Sequence, residues 1–277
     1  MACGNNNKTS SNETSTIATN NETENNTQEN TTQEKQEANS NGLSDEELLA
    51  LPETDVKQFT YEETEDGIVI TNCLLENNGD TVVVIPNQID GKDVVRLDLE
   101  TFLRSQYKAV VINNNLNKIS AKCFMTSKIN QIIMQEGLEI IGSKAFYMSD
   151  IVDVKIPNTV KRIDSEAFGS CDIKEVTIPK SVEEIGVAAF SCCYELETVT
   201  FEGNCTVESG AFTLSSNIKK VICLDGDITF ANDEFYQMSD LDPDAATEER
   251  DLTFVAPAGS KVEQYAKDRG FKFEALD

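Results

Sequence analysis

The chain has 277 residues, with 49 acidic against 23 basic side chains, a formal net charge of -26, and neither histidine nor tryptophan. Such acidity leaves no basic footprint with which to neutralise nucleic-acid phosphates, and it favours solubility instead. The lack of histidine removes Ser–His and Cys–His nucleophile pairs, histidine general bases and histidine-ligated metals together. No glycine-rich phosphate loop or dinucleotide fingerprint is present. Nothing selects two carboxylates from the many as a glycosidase pair. The expectation is therefore a protein that is not an enzyme, with no cofactor and no metal site, a cation-dependent hydrolase being the remote alternative. No run approaches the roughly 18 apolar residues of a membrane-spanning helix.

At the start stands Met1-Ala2-Cys3-Gly4. A small residue directly before Cys-Gly, followed by a long polar stretch, resembles the lipidation site of bacterial lipoproteins, with Cys3 as the acylated residue. An unmodified cysteine near an intracellular N-terminus is the competing reading. Residues 4–42 are dominated by Asn, Thr, Ser, Glu and Gln, with Ile17 and no aromatic. Such a segment cannot bury enough apolar surface to offset an ordering cost of about 1–2 kcal/mol per residue, so a disordered tether is expected over 1–43. Ser44-Asp-Glu-Glu47 then forms a capping-box pattern before Leu48 and Leu49, ended by Pro52, which predicts a short helix. It opens an N-terminal cap and first strand-rich unit over 44–101.

From there a metre takes over. Phe102, Phe124, Phe146, Phe168, Phe190, Phe212 and Phe235 follow one another at gaps of 22, 22, 22, 22, 22 and 23 residues. A period this regular is the mark of stacked repeats, and it predicts a solenoid over 102–251. Five residues before the aromatic stand Ile119, Ile141, Ile163 and Ile185, with Leu97 and Val207 in the same column. Just before it stand the small residues Ala145, Ala167, Ala189 and Ala211, as expected of a tight helical turn that points Phe inward. The pairs Val110/Ile112, Ile132/Met134, Val154/Ile156 and Val176/Ile178 alternate at period two and predict one short strand per coil. The last unit is irregular, with Glu234 in the small-residue slot. Beyond it Ser260-x-x-Glu263 opens a helix closed near Gly270, and Phe271-Lys-Phe273 reads as a strand, giving a C-terminal cap over 252–277.

The pattern Ile-Pro-x-x-Val-x-x-Ile-x-x-x-Ala-Phe, followed by Cys and Leu or Ile, as in Ile156 to Ile173, resembles the BspA-like leucine-rich repeats of bacterial surface proteins. The resemblance spans about residues 60 to 277. It implies a right-handed leucine-rich repeat solenoid of about seven coils, mainly short β-strands with short helical turns, whose recurrent positions serve packing rather than catalysis.

Eight cysteines lack the paired Cys-x-x-Cys spacing of zinc sites. Cys171 and Cys193 each lie three residues after a repeat Phe and stack in one column, either as buried thiols or, in an oxidising compartment, as a disulfide. Cys73, Cys123, Cys192, Cys205 and Cys223 read as packing residues. The acidic groups Asp225-Gly-Asp227 with Asp233-Glu234, and Asp240-Leu-Asp242-Pro-Asp244, lack calcium-loop spacing and read as loops.

If the alternating apolar residues face inward, the residues between them form two outward ladders on one continuous sheet. One runs Ala109, Gln131, Asp153, Glu175, Thr198, Lys220; the other runs Val111, Ile133, Lys155, Thr177, Thr200, Ile222. Val111 and Ile133 are apolar where the solenoid does not demand it, which suggests a contact patch; the competing explanation is that β-branched residues suit strands. The functional expectation is a lipid-anchored, extracellular, monomeric adhesion module of the bacterial cell envelope. Its sheet face binds a host or other extracellular macromolecule, protein rather than glycan, and it touches the membrane only through its anchor. A self-associating structural surface protein is the alternative.

Overall fold

A computed structural model of the protein describes residues 43–231, 235 and 251–276. Cys3, residues 4–42, Asp233-Glu234 and the acidic group Asp240 to Asp244 lie outside the described residues. Helix α1 (Asp45–Leu49) and a 3-10 turn (Val56–Gln58) precede strands β1 (Phe59–Thr64), β2 (Gly67–Cys73), β3 (Val82–Val84), β4 (Gln88–Ile89) and β5 (Lys92–Leu97). The regular coils supply β6 (Gln106–Ile112), β7 (Lys118–Ile119), β8 (Lys128–Met134), β9 (Ile140–Ile141), β10 (Arg162–Ile163), β11 (Glu175–Ile178) and β12 (Glu184–Ile185). They continue with β13 (Thr198–Phe201), β14 (Thr206–Val207), β15 (Lys220–Cys223) and β16 (Thr229–Phe230), before β17 (Thr253–Ala256), α2 (Lys261–Arg269) and β18 (Lys272–Ala275) close the chain.

These elements make a leucine-rich repeat solenoid of about nine turns with little helix. The turns beyond the seven marked by phenylalanine come from the two ends, where β2 and β3, and then β17 and β18, pair onto the stack without the repeat Phe. Each regular coil contributes a two-residue strand to a back sheet ordered β1-β2-β5-β7-β9-β10-β12-β14-β16, parallel except for the β1–β2 hairpin. Ile141, Ile163, Ile185 and Val207 pair in register there and are fully buried. The front strands form two parallel groups, β3-β6-β8 and β11-β13-β15-β17-β18.

Between these groups the expected continuity fails. Residues 151–157 form no strand, although Val154 and Ile156 keep their inward positions and are buried. Pro157 is not the cause, because Pro179 follows β11 in the same place; nothing in the sequence explains the break.

The phenylalanine rings stack from Phe102 to Phe235, with successive centroids 4.9–5.5 Å apart and planes within 5–9° of parallel. The turn that carries each ring is built differently from a helical turn. The residues two before and two after Phe take left-handed backbone, as at Lys144 (φ 58°) and Met148 (φ 56°), or Glu166 (φ 56°) and Ser170 (φ 58°). This alternation aims three amides per coil at the next one: Lys144, Phe146 and Met148 donate to the carbonyls of Ser165, Ala167 and Gly169. The turn is thus a third inter-coil ladder, which satisfies backbone groups that the buried rings would otherwise strand. The small residue before Phe supplies the central acceptor.

The column three residues after Phe is wider than its cysteines suggested. It reads Ser105, Ser127, Ser149, Cys171, Cys193, Ser215, all buried. The Cys171 thiol donates to the Phe146 carbonyl (3.0 Å), that of Cys193 to Phe168 (3.2 Å), and the Ser215 hydroxyl to Phe190 (2.8 Å). Cys171 and Cys193 are free thiols, so the disulfide left open by the sequence is not formed. Burial pushes the Cys171 thiol up to about 12 and that of Cys193 well above its ordinary value.

Candidate functional site

The two outward ladders are in register. Val82, Ala109 and Gln131 pair across β3, β6 and β8, as do Val84, Val111 and Ile133. On the second group Glu175, Thr198 and Lys220 pair in sequence, as do Thr177, Thr200 and Ile222. Asp153 and Lys155 sit on the strandless coil between them, so the face is two sheets joined by a polar seam. Both ladders extend past the predicted ends, through Val82 and Val84 at one side and Thr253, Val255, Lys272 and Glu274 at the other. The signal for that extension was the alternation around Phe254, hidden because 33 residues separate Ile222 from Val255 where the metre leads one to expect about 22.

One end of the predicted face is already occupied. Helix α1 lies across β3, β6 and β8, with Leu48, Ala109 and Val111 each 1% exposed. Leu43, Leu51, Val82, Val84 and Ile133 pack around them as a cluster separate from the solenoid core. Ala109 and Val111 point outward as expected, but the chain's own leucines cover them. The capping box is complete: Glu47 N–H donates to Ser44 Oγ (3.2 Å), and Ser44 N–H donates to the Glu47 carboxylate (2.8 Å). The box closes the first turn of α1, and the burial of Leu48 seats the helix with Asp45 at the seam. There its carboxylate accepts from Gln131 Nε2 (2.8 Å) and Lys155 Nζ (2.6 Å). The Lys155 bond holds the Asp45 carboxyl below its usual value, and the Asp45 bond in turn raises Lys155.

Past Lys155 the face is open. Glu175 and Thr177 are exposed; Thr198, Thr200, Lys220 and Ile222 are half-buried. A shallow, open depression follows the seam, lined by Asp153, Lys155, Asn158, Glu175, Thr177 and Glu202. Lys220 reaches Glu274 (3.8 Å) across the ladders. Among the described residues no three His, Cys, Asp or Glu side chains are placed to hold a metal ion, and no helix is long and apolar enough to cross a membrane.

A family described as the BspA type leucine-rich repeat region matches residues 84–151 and 139–243 in six copies, more than half of the chain. The chain belongs to the BspA-type leucine-rich repeat family. This BspA-type chain is also similar to solved structures of leucine-rich repeat proteins. A T. pallidum leucine-rich repeat protein is 25% identical over 80% of this chain and 98% of its own, with a TM-score of 0.59. One from Bacteroides ovatus is 21% identical over 79% of this chain and 66% of its own, with a TM-score of 0.51, a likeness of fold alone. No curated protein matches the sequence. In this BspA-type chain the repeat columns are spent on packing, and the outward side chains of the second front sheet are left uncovered by α1.

Proposed function

We propose that the protein is a surface-displayed binding module, not an enzyme, whose open sheet face engages an extracellular protein. Cys3 is read as its lipid anchor and the residues after it as the tether. Durable attachment then calls for more than one acyl chain, since a single chain holds weakly. The observation that carries the reading is the open front sheet itself. Glu175, Thr177, Thr198, Thr200, Lys220 and Ile222 form an in-register array, half-buried or exposed, with no segment among the described residues lying across them as α1 lies across Ala109 and Val111. A solenoid presents such a surface by construction. Mixed charge, hydroxyls and one aliphatic side chain suit a protein partner with a polar rim.

The test is capture of extracellular-matrix and cell-surface proteins by the immobilised full chain. It compares the native protein with Thr198→Arg and Thr200→Arg, which put bulk on the open face without touching the core. Loss of a captured partner in both variants, at unchanged melting temperature, is the expected result. Capture that survives both variants places the site elsewhere. Mass spectrometry of the native N-terminus reads the Cys3 part separately, through the mass of an acylated cysteine.

A further inference from the structure

We propose that α1 is a displaceable strap, and that the aliphatic patch beneath it is a second docking face for a helical turn of the partner protein carrying a carboxylate three residues before a leucine. The proposal rests on the open-face reading above for the existence of a partner, and on α1 itself for what the patch accepts. Val82, Val84, Ala109, Val111 and Ile133 stand apart from the core of the solenoid. They pack against Leu43, Leu48 and Leu51 of the strap, so they can change occupant without disturbing the stack.

The strap is lightly held. Its helix has five residues and one buried side chain, Leu48, and a helix that short has no stability of its own. Behind it, Glu53 accepts from Asn87, and Thr54 exchanges bonds with Val84. A released strap therefore pivots between Ala50 and Pro52 while the edge of β3 stays covered.

Lys155 links the two surfaces. It closes the strap through Asp45, yet its side chain is 75% exposed, and it lines the same depression as Glu175 and Thr177. A partner seated on the open face brings its own carboxylates to Lys155 and competes with Asp45 for that ammonium. Once Asp45 is displaced, the incoming segment finds what α1 found: an amide at Gln131, a cation at Lys155, and the aliphatic surface of Ala109 and Val111 on which Leu48 packs.

The probe is the peptide of residues 43–51, added to the full chain and read by methyl NMR at Val111 and Ile133. In Leu48→Asp, whose own strap is dislodged, the peptide is expected to shift both sets of signals; the same peptide bearing Leu48→Asp leaves them in place. Asp45→Asn, which keeps Leu48 and weakens only the latch, decides the matter if Leu48→Asp does not fold. In that variant the peptide is expected to shift the signals at lower concentration than in the native chain. No shift in either folded variant overturns the proposal. Because no extracellular partner enters this experiment, its failure is distinguishable from failure of the capture experiment.

Discussion

Asp45 and Lys155 stand 110 residues apart in the chain and 2.6 Å apart in space. Their contact is the outer latch of α1, with both side chains well exposed at 40% and 75%. An ion pair in that setting contributes less than about 1 kcal/mol, whereas the buried Leu48 contributes roughly 2–3 kcal/mol. Asp45→Asn is therefore expected to leave global stability nearly unchanged, while Leu48→Ala opens the strap. Hydrogen exchange at the Leu48 and Ala50 amides, bonded to Ser44 and Glu46, checks this. Equal exchange in the native protein and Leu48→Ala would show that leucine burial is not what closes α1.

The latch also has a pH sense. The Asp45 carboxyl is held below its ordinary 3.8, chiefly by the Lys155 hydrogen bond. A group with a depressed folded value stabilises fully above its unfolded value and ceases to do so as pH falls through the folded one. Strap closure is thus expected to be independent of Asp45 titration above about pH 5 and to weaken below pH 4. The Leu48 methyl signals, followed from pH 6 to pH 3, should shift in the native chain. An identical shift in Asp45→Asn would assign the change to another group.

How far the sequence could be read is clearest at Val111. Its place on an outward ladder followed from the phenylalanine metre, since fixing the inward residues fixes the rest by subtraction. That Val111 and Ile133 are apolar on an outward face was legible too, and it left a contact patch and plain strand preference both open. What covers them was not legible, because Ser44-Asp-Glu-Glu47 encodes a helix start but no address on a surface many residues away. The turns escaped for a different reason. Left-handed backbone at Lys122, Lys144, Glu166 and Ala188 leaves no trace in residue type, since only Gly210 in that column is a glycine. Here the inter-coil hydrogen bonds decide the conformation and override local preference.

That override has a measurable cost at two neighbouring positions of the column. Gly210 takes φ 66°, and a methyl group there would meet nothing closer than Thr213 Oγ1 at 3.5 Å, so Gly210→Ala tests backbone strain without a clash. Left-handed backbone costs an L-residue about 1–2 kcal/mol, and the stiffer unfolded chain returns about 0.4–1 kcal/mol. The net expectation is about 1 kcal/mol of destabilisation for Gly210→Ala, and a gain of similar size for Ala188→Gly, whose φ is 56°. Urea unfolding of both variants gives the two signs. Destabilisation by Ala188→Gly would mean that the ladder bonds leave no strain to relieve.

Phe168 tests the stack at its centre. Its ring lies 5.1 Å from both Phe146 and Phe190 and is fully buried. Truncation to Ala leaves a cavity with two unsupported neighbours, at about 3–5 kcal/mol. Phe168→Leu keeps much of the volume but loses both ring contacts, each worth about 0.5–1.5 kcal/mol, for about 1–3 kcal/mol in all. Equal losses for Leu and Ala in chemical denaturation would mean that ring stacking, rather than filled volume, carries the column.

The thiol column gives the last test, because it separates packing from reactivity. Cys171 donates to the Phe146 carbonyl in the position where Ser215 donates to Phe190, so Cys171→Ser should be tolerated within about 1 kcal/mol, the size of one ordinary hydrogen bond. Cys171→Val should cost more, because it fills the site and removes the donor. Burial raises the Cys171 thiol to about 12, which leaves about one thiolate in 10,000 at pH 8. Alkylation at that pH is therefore expected to reach Cys171 and Cys193 only through unfolding, while the half-buried Cys73 reacts first among the described free thiols. The linkage runs opposite to that of Asp45. A thiol kept neutral in the fold imposes no cost below its ordinary value near 9, and stability falls as pH rises from there towards 12, because only the unfolded chain releases the proton. Urea midpoints measured from pH 8 to pH 11 should fall in the native chain, and less steeply in Cys171→Ser. Parallel slopes would remove the buried thiol as the cause.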